Sequence, residues 1–123
     1  MRTYEVGFQK NTEKMVLIHG YGASAIIFWR IVKPLAERFH LIMIDILGMG
    51  ASSRPEFTCE DEHEAKEFFI GWMETWRLKM GTILEEKFLL AGHSFGGFLS
   101  GHYACRYPEK IKKLLMLSPF GVP

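Results

Sequence analysis

The chain has 123 residues, of which 48% are hydrophobic and 24% charged, with a formal net charge of +1. That is the size and balance of one globular domain with a packed core, not of a disordered tail. The basic residues are scattered rather than gathered into a patch, which argues against a nucleic-acid partner.

The opening stretch "MRTYEVGFQKNTEK" lacks the apolar run of a secretory signal, and its alternation in "RTYEVGF" predicts a short strand. "MVLIHG" from Met15 is apolar without alternation, the pattern of a strand buried on both faces. "HLIMIDIL" from His40, "FLLAGHS" from Phe88 and "KLLMLSP" from Lys113 repeat it. Between the runs lie segments of helical period. The first, about 27–39, is expected to bury Phe28, Ile31, Val32, Leu35 and Phe39, its main part beginning near Lys33 with Pro34 in the first turn. The second, about 60–80, places Phe68, Phe69, Trp72, Met73, Trp76 and Met80 on one face, with acidic residues in its first turn and Gly81 as its stop. The third runs from Phe95 to Tyr107 and ends ahead of Pro108. Strands alternating with helices predict an α/β fold with a mostly parallel sheet and flanking helices.

No run approaches the roughly 20 apolar residues of a membrane span. Cys59 and Cys105 have neither metal-ligand nor CxxC spacing and read as unpaired thiols of a reducing compartment, so the expectation is an intracellular chain, cytoplasmic or peripheral to a membrane or lipid droplet. Neither a metal nor a cofactor is called for.

Gly92-His93-Ser94-Phe95-Gly96 fits G-x-S-x-G between a predicted strand and a predicted helix. A serine in that turn sits in a strained backbone conformation that only very small neighbours two residues either side permit. The helix beginning there aims free N–H groups and its positive dipole end at the same point, which suits an anionic tetrahedral intermediate. The "HGYGAS" loop after the first buried strand is the natural source of a second donor, the Tyr21 N–H beside the Phe95 N–H. Ser94 is therefore the candidate nucleophile, and Tyr21 and Phe95 the candidate oxyanion hole.

Two competing motifs need weighing. Gly20-Tyr21-Gly22-Ala23-Ser24-Ala25 reads as G-x-G-x-x-A, with Asp45 at the spacing of a dinucleotide fingerprint. Pro34 delays the helix that should start at those glycines, and the serine turn would go unexplained. His40 and Asp45 form an H-x-x-x-x-D string, but it spans a single buried strand.

With "HGYGAS", "DILGMGASSRP", "ETWRLKMG" and "GHSFGGFLSGHYACRYPEKIKKLLMLSPFGVP" in order, the chain resembles an α/β-hydrolase, and more closely the subfamily of abhydrolase-domain proteins 4 and 5. The similarity runs from about Tyr4 to Pro123 and covers only the N-terminal half or so of that family's domain. By resemblance, Ser94 matches the nucleophile position and Tyr21 and Phe95 the oxyanion-hole positions. Asp45 with the Gly48-x-Gly50-x-Ser52 loop matches a structural turn, not the catalytic acid. A lipid-ester substrate is implied by the resemblance alone.

In this fold the order is serine, then acid, then histidine. After Ser94 come only Glu109 and His102, both on or just beyond the helix that the serine turn begins, where neither can swing back over the hydroxyl. Of the other histidines, His93 should point away from the active face, His19 should brace its loop, and His63 belongs to a charged helical turn. Residues 1–123 thus read as an incomplete hydrolase domain lacking lid, catalytic acid and catalytic histidine, the nucleophile-bearing part of a serine hydrolase. The remainder of the domain, or a second chain, is expected to cover an apolar sheet edge left by the last strand. The alternative is a non-catalytic subunit that docks through that edge or through "FFIGWMETW", although an aromatic stripe at helical spacing is more often core.

Overall fold

The computed structural model describes residues 1–121; the end of the "SPFGVP" motif, Val122 and Pro123, lies outside the described residues. The elements are β1 (Thr3–Val6), β2 (Lys14–Ile18), α1 (Trp29–Ala36), β3 (His40–Ile44), α2 (Glu62–Lys79), β4 (Phe88–His93), α3 (Phe95–Arg106) and β5 (Ile111–Leu117). The strands form one sheet in the order β1-β3-β2-β4-β5, parallel throughout except for β1, which runs antiparallel to β3. The expected α/β architecture with a mostly parallel sheet is present.

Side-chain parity explains why the buried strands show no polar alternation. Val16, Ile18, Ile42, Ile44 and Leu90 point to one face, where α2 and α3 contribute Ile70, Met73, Trp76, Leu99 and Tyr103. Met15, Leu17, Leu41, Met43, Leu89 and Ala91 point to the other, against Phe28, Val32 and Leu35. With both faces covered, the interior positions of these strands are apolar on both sides.

Two expectations about helices need correction. α1 starts at Trp29, continuing a single 3-10 turn at Ala25–Phe28, so Pro34 lies in its last turn rather than its first. The helix is short enough that proline removes only one bond before the chain leaves helical geometry two residues later. Ile31, expected in the core, is 40% exposed. In α2 the buried stripe is Ile70, Met73, Trp76 and Arg77, and Trp72 is turned outward. An arginine entered the buried face because its charge is matched there. Arg77 donates to Glu74 through Nε at 2.8 Å and Nη2 at 2.7 Å and to the Leu84 carbonyl at 3.1 Å, while the Tyr103 hydroxyl donates to Glu74 at 2.6 Å.

The remaining boundaries follow local chemistry. Asp61 caps α2 by accepting from the Glu64 N–H at 2.8 Å, and Gly81 at φ +57° ends it. β5 departs from the doubly buried pattern because it is an edge: Leu115, Met116 and Leu117 are 38%, 37% and 41% exposed. Among the described residues, no helix is long and apolar enough to cross a membrane.

The chain leaves β2 for β3 on one side through α1 and returns to β4 on the other through α2. The carboxyl ends of β2 and β4 therefore flank the switch point where open α/β sheets leave a crevice.

Candidate active site

β4 delivers Ser94 to that crevice. Its backbone stands at φ 53°, ψ −117°, a left-handed conformation that costs a non-glycine residue roughly 1–3 kcal/mol unless its surroundings hold it. Three bonds do so. The Ser94 N–H donates to the Leu117 carbonyl at 3.0 Å, and its carbonyl accepts from the N–H groups of Phe98 and Phe120, each at 3.0 Å.

The small neighbours are sterically required. A Cβ on Gly92 would overlap the Gly96 carbonyl, and one on Gly96 would overlap the carbonyls of Ile18 and His19. Gly96 is thus where α3 lies directly on the end of β2. A Cβ on Gly20 would come within 3.2 Å of the Ser94 Cβ, so the loop after β2 runs against the serine itself.

That loop carries Tyr21, whose ring meets Phe95 edge-on at 6.2 Å. Neither the Tyr21 nor the Phe95 backbone N–H has an acceptor among the described residues. The Phe95 N–H is at the first position of α3, next to the strained serine, and Tyr21 follows the glycine whose backbone runs against Ser94.

The supporting residues are engaged elsewhere. His19 is fully buried; its Nε2 accepts from the Ile46 N–H at 2.9 Å and its Nδ1–H donates to the Gly20 carbonyl at 2.7 Å. Asp45 Oδ1 lies 3.8 Å from His19 Nε2, but that nitrogen already accepts a proton donor, so no ion pair forms. His19 braces the loop, as expected. Asp45 accepts from the Ala25 N–H at 2.7 Å, the Ala51 N–H at 2.9 Å and the Tyr4 hydroxyl at 3.1 Å. Ser52 ties the same turn by donating to the Asp45 carbonyl at 2.5 Å. Fully buried and fully committed, Asp45 holds the turn between β3 and α2, as the resemblance implied, and offers nothing to a ribose.

His40 meets Glu5 at 2.8 Å at the far end of β3, so the H-x-x-x-x-D string is split between two unrelated jobs. His93 is exposed at the end of β4, and His63 sits in the first turn of α2. His102 packs against the Phe98 ring at 4.5 Å, two turns into α3 and about 12 Å along its axis from Ser94. Glu109 is exposed in the turn after α3. Neither joins the serine.

A cleft of about 550 Å³ opens beside Tyr21 and Phe95, walled by Leu47, Met49, Phe57, Phe68 and Phe69, with the Gly48–Gly50 backbone and Arg54 at its edge. The expected aromatic stripe of α2 is therefore divided: Phe68 and Phe69 face this cleft, Trp72 faces outward, and Met73, Trp76 and Met80 pack with the core. Sequence reading missed two contributions, the cleft wall and the Leu117–Phe120 brace on the serine. The aromatic spacing of "FFIGWMETW" and the "SPFG" turn were the available signals.

Comparison with known proteins agrees with this geometry. The alpha/beta hydrolase fold pattern matches residues 14–123. The chain is 43% identical over 107 residues to a 1-acylglycerol-3-phosphate O-acyltransferase of Arabidopsis thaliana, covering 87% of this chain and 25% of the relative. It is 38% identical over 115 residues to a (lyso)-N-acylphosphatidylethanolamine lipase of Mus musculus, covering 94% and 32%. Among solved structures, a bacterial membrane phospholipase A described as a virulence factor superposes with a TM-score of 0.83 at 31% identity, covering 98% of this chain and 36% of that one. The chain spans only a quarter to a third of these curated relatives' length. Its matched pattern, parallel sheet and serine turn together show that the chain belongs to the α/β-hydrolase fold family.

Proposed function

We propose that this chain is the nucleophile-bearing portion of a serine hydrolase that acts on carboxylic esters of lipids through an acyl-enzyme. The observation that carries the reading is Ser94 held at φ 53° at the end of β4, directly before Phe95, which with Tyr21 lines an apolar cleft. In the proposed reaction the Ser94 Oγ attacks the ester carbonyl, the N–H groups of Tyr21 and Phe95 hold the oxyanion, and expulsion of the alcohol leaves the acyl group on Ser94. Water then releases the acid. A lipid substrate is supported by the relatives, which are named for a lysophosphatidate acyltransferase and a phospholipid lipase, and by the aromatic wall of the cleft.

A serine hydroxyl needs a base, and among the described residues no histidine or carboxylate is hydrogen-bonded to the Ser94 hydroxyl. The acid and histidine belong to the part of the domain that these residues do not include, or to a second chain. A fluorophosphonate probe is expected to label Ser94 slowly on this chain and at least about 100-fold faster once a segment carrying an acid and a histidine completes the site. Equally fast labelling of the isolated chain would contradict the missing base, and no labelling of the completed site would remove Ser94 as nucleophile.

The second reading is a non-catalytic subunit docked through its sheet. It is favoured by one observation, the exposure of Leu115, Met116 and Leu117 on the edge strand β5. A stoichiometric natural partner that lacks any catalytic histidine would support it over hydrolysis.

A further inference from the structure

The cleft beside Tyr21 and Phe95 is lined mostly by apolar side chains. Of the residues that line it, Arg54 alone is charged. Its guanidinium donates from Nη1 to the Ser52 carbonyl and from Nη2 to the Gly50 carbonyl, both at 3.1 Å. Those carbonyls belong to the turn that buried Asp45 and Ser52 anchor, since Ala51 bonds the Asp45 carboxylate at 2.9 Å and Ser52 bonds its carbonyl at 2.5 Å. A flexible side chain is thereby held at the rim by two bonds to a fixed loop. Among the described residues no carboxylate lies within ion-pair distance of Arg54. The charge is positioned but not neutralised, and two carbonyl bonds leave several of the five N–H donors of a guanidinium free.

We infer that Arg54 reads an anionic headgroup, a phosphate, on the lipid whose acyl chain occupies the cleft. The inference rests on the hydrolase reading above. The substrate's acyl carbonyl is committed to Ser94, so the anion at Arg54 is a second group of the same molecule. A guanidinium presents paired N–H groups to two phosphate oxygens, a geometry a lysine cannot reproduce. The apolar wall supplies affinity without selecting a headgroup, because area burial is non-directional. Arg54 is then the residue that separates a phosphate-bearing ester from a neutral one.

The test is binding by the chain as it stands, with two ligands of equal acyl length kept below their micelle concentrations: 1-decanoylglycerol-3-phosphate and 1-decanoylglycerol. Titration calorimetry at low ionic strength is expected to show the phosphate ester binding about tenfold tighter, with the preference shrinking as salt rises. Arg54→Gln is expected to bring the two affinities within about twofold, Arg54→Lys to keep part of the gap, and Arg38→Gln, at a cation outside the cleft, to keep all of it. An unchanged thermal midpoint for Arg54→Gln shows that the exposed substitution leaves the fold intact. Equal affinities in the unmodified chain, a preference that survives Arg54→Gln, or no binding of either ligand would each overturn the inference. Displacement of the phosphate ester by millimolar inorganic phosphate would do so as well, by making Arg54 a free-anion site. Loss of the preference while Ser94 of the completed site still reacts with the fluorophosphonate sinks Arg54 alone; an unreactive Ser94 in that site sinks the hydrolase reading.

Discussion

Gly96 and Gly71 show how much the role of one residue type depends on place. Both are glycines in helices, but a Cβ on Gly96 would strike two carbonyls of the β2 exit, whereas a Cβ on Gly71 meets nothing within 4 Å. Gly96→Ala is expected to destabilise the chain by on the order of 2–3 kcal/mol in urea unfolding, since the overlapped atoms are backbone and cannot rotate away. Gly71→Ala should stabilise it by about 0.5–1 kcal/mol, the helix-propensity difference on an exposed face. The Gly96→Ala chain should also bind or label more weakly at Ser94, because the helix start and the Tyr21 loop would be pushed apart. The glycine spacing around Ser94 was readable as a motif. Why Gly96 in particular tolerates no methyl group was not, because its neighbours Ile18 and His19 arrive from far away in the chain.

At the scale of elements, the join between α2 and α3 is made by a charge network inside an apolar layer. The Arg77 guanidinium first, with the Tyr103 hydroxyl adding to it, holds the Glu74 carboxyl below its ordinary range against the cost of burial. Burial, and then the neighbouring carboxylate, push the Tyr103 phenol well above its usual value. Because the folded chain favours ionised Glu74, this contribution to stability is complete above roughly pH 4.3, the carboxylate's unfolded value, and declines as pH falls through its lower folded value. Urea midpoints are expected to fall below about pH 4, with a shallower fall in Glu74→Gln. Arg77→Met should cost about 3 kcal/mol at pH 7, because it strands a half-buried carboxylate. Periodicity predicted α2 itself, its acidic first turn and its glycine stop. It put Trp72 in the buried stripe in place of Arg77, since a charged residue registers as outward-facing until its partner is known.

For the molecule as a whole, the exposed β5 edge of the sheet is the dominant feature. β5 pairs with β4 along one edge and has no strand on its other edge among the described residues, while Leu115, Met116 and Leu117 stay exposed. Unpaired N–H and C=O groups beside apolar side chains form a template for another strand. The isolated chain is therefore expected to self-associate with rising concentration in sedimentation velocity, and Leu115→Lys with Leu117→Lys to shift it toward monomer by at least about tenfold in dissociation constant. A strictly monomeric chain at high concentration would contradict the exposed-edge argument.

The sequence by itself determined the strand and helix order, the doubly buried character of the central strands, and Ser94 as the residue presented by a strand-to-helix turn. These depend on local patterns: apolar runs, helical period and glycine spacing. Only the tertiary structure decided which groups Asp45 bonds, that α1 begins ahead of Pro34, that Phe57, Phe68 and Phe69 wall a cleft, and that Leu117 and Phe120 brace the serine. Each of these is set by contacts between residues distant in the chain. Hydrogen-bond and packing partners that meet only after folding leave no periodic trace in the sequence.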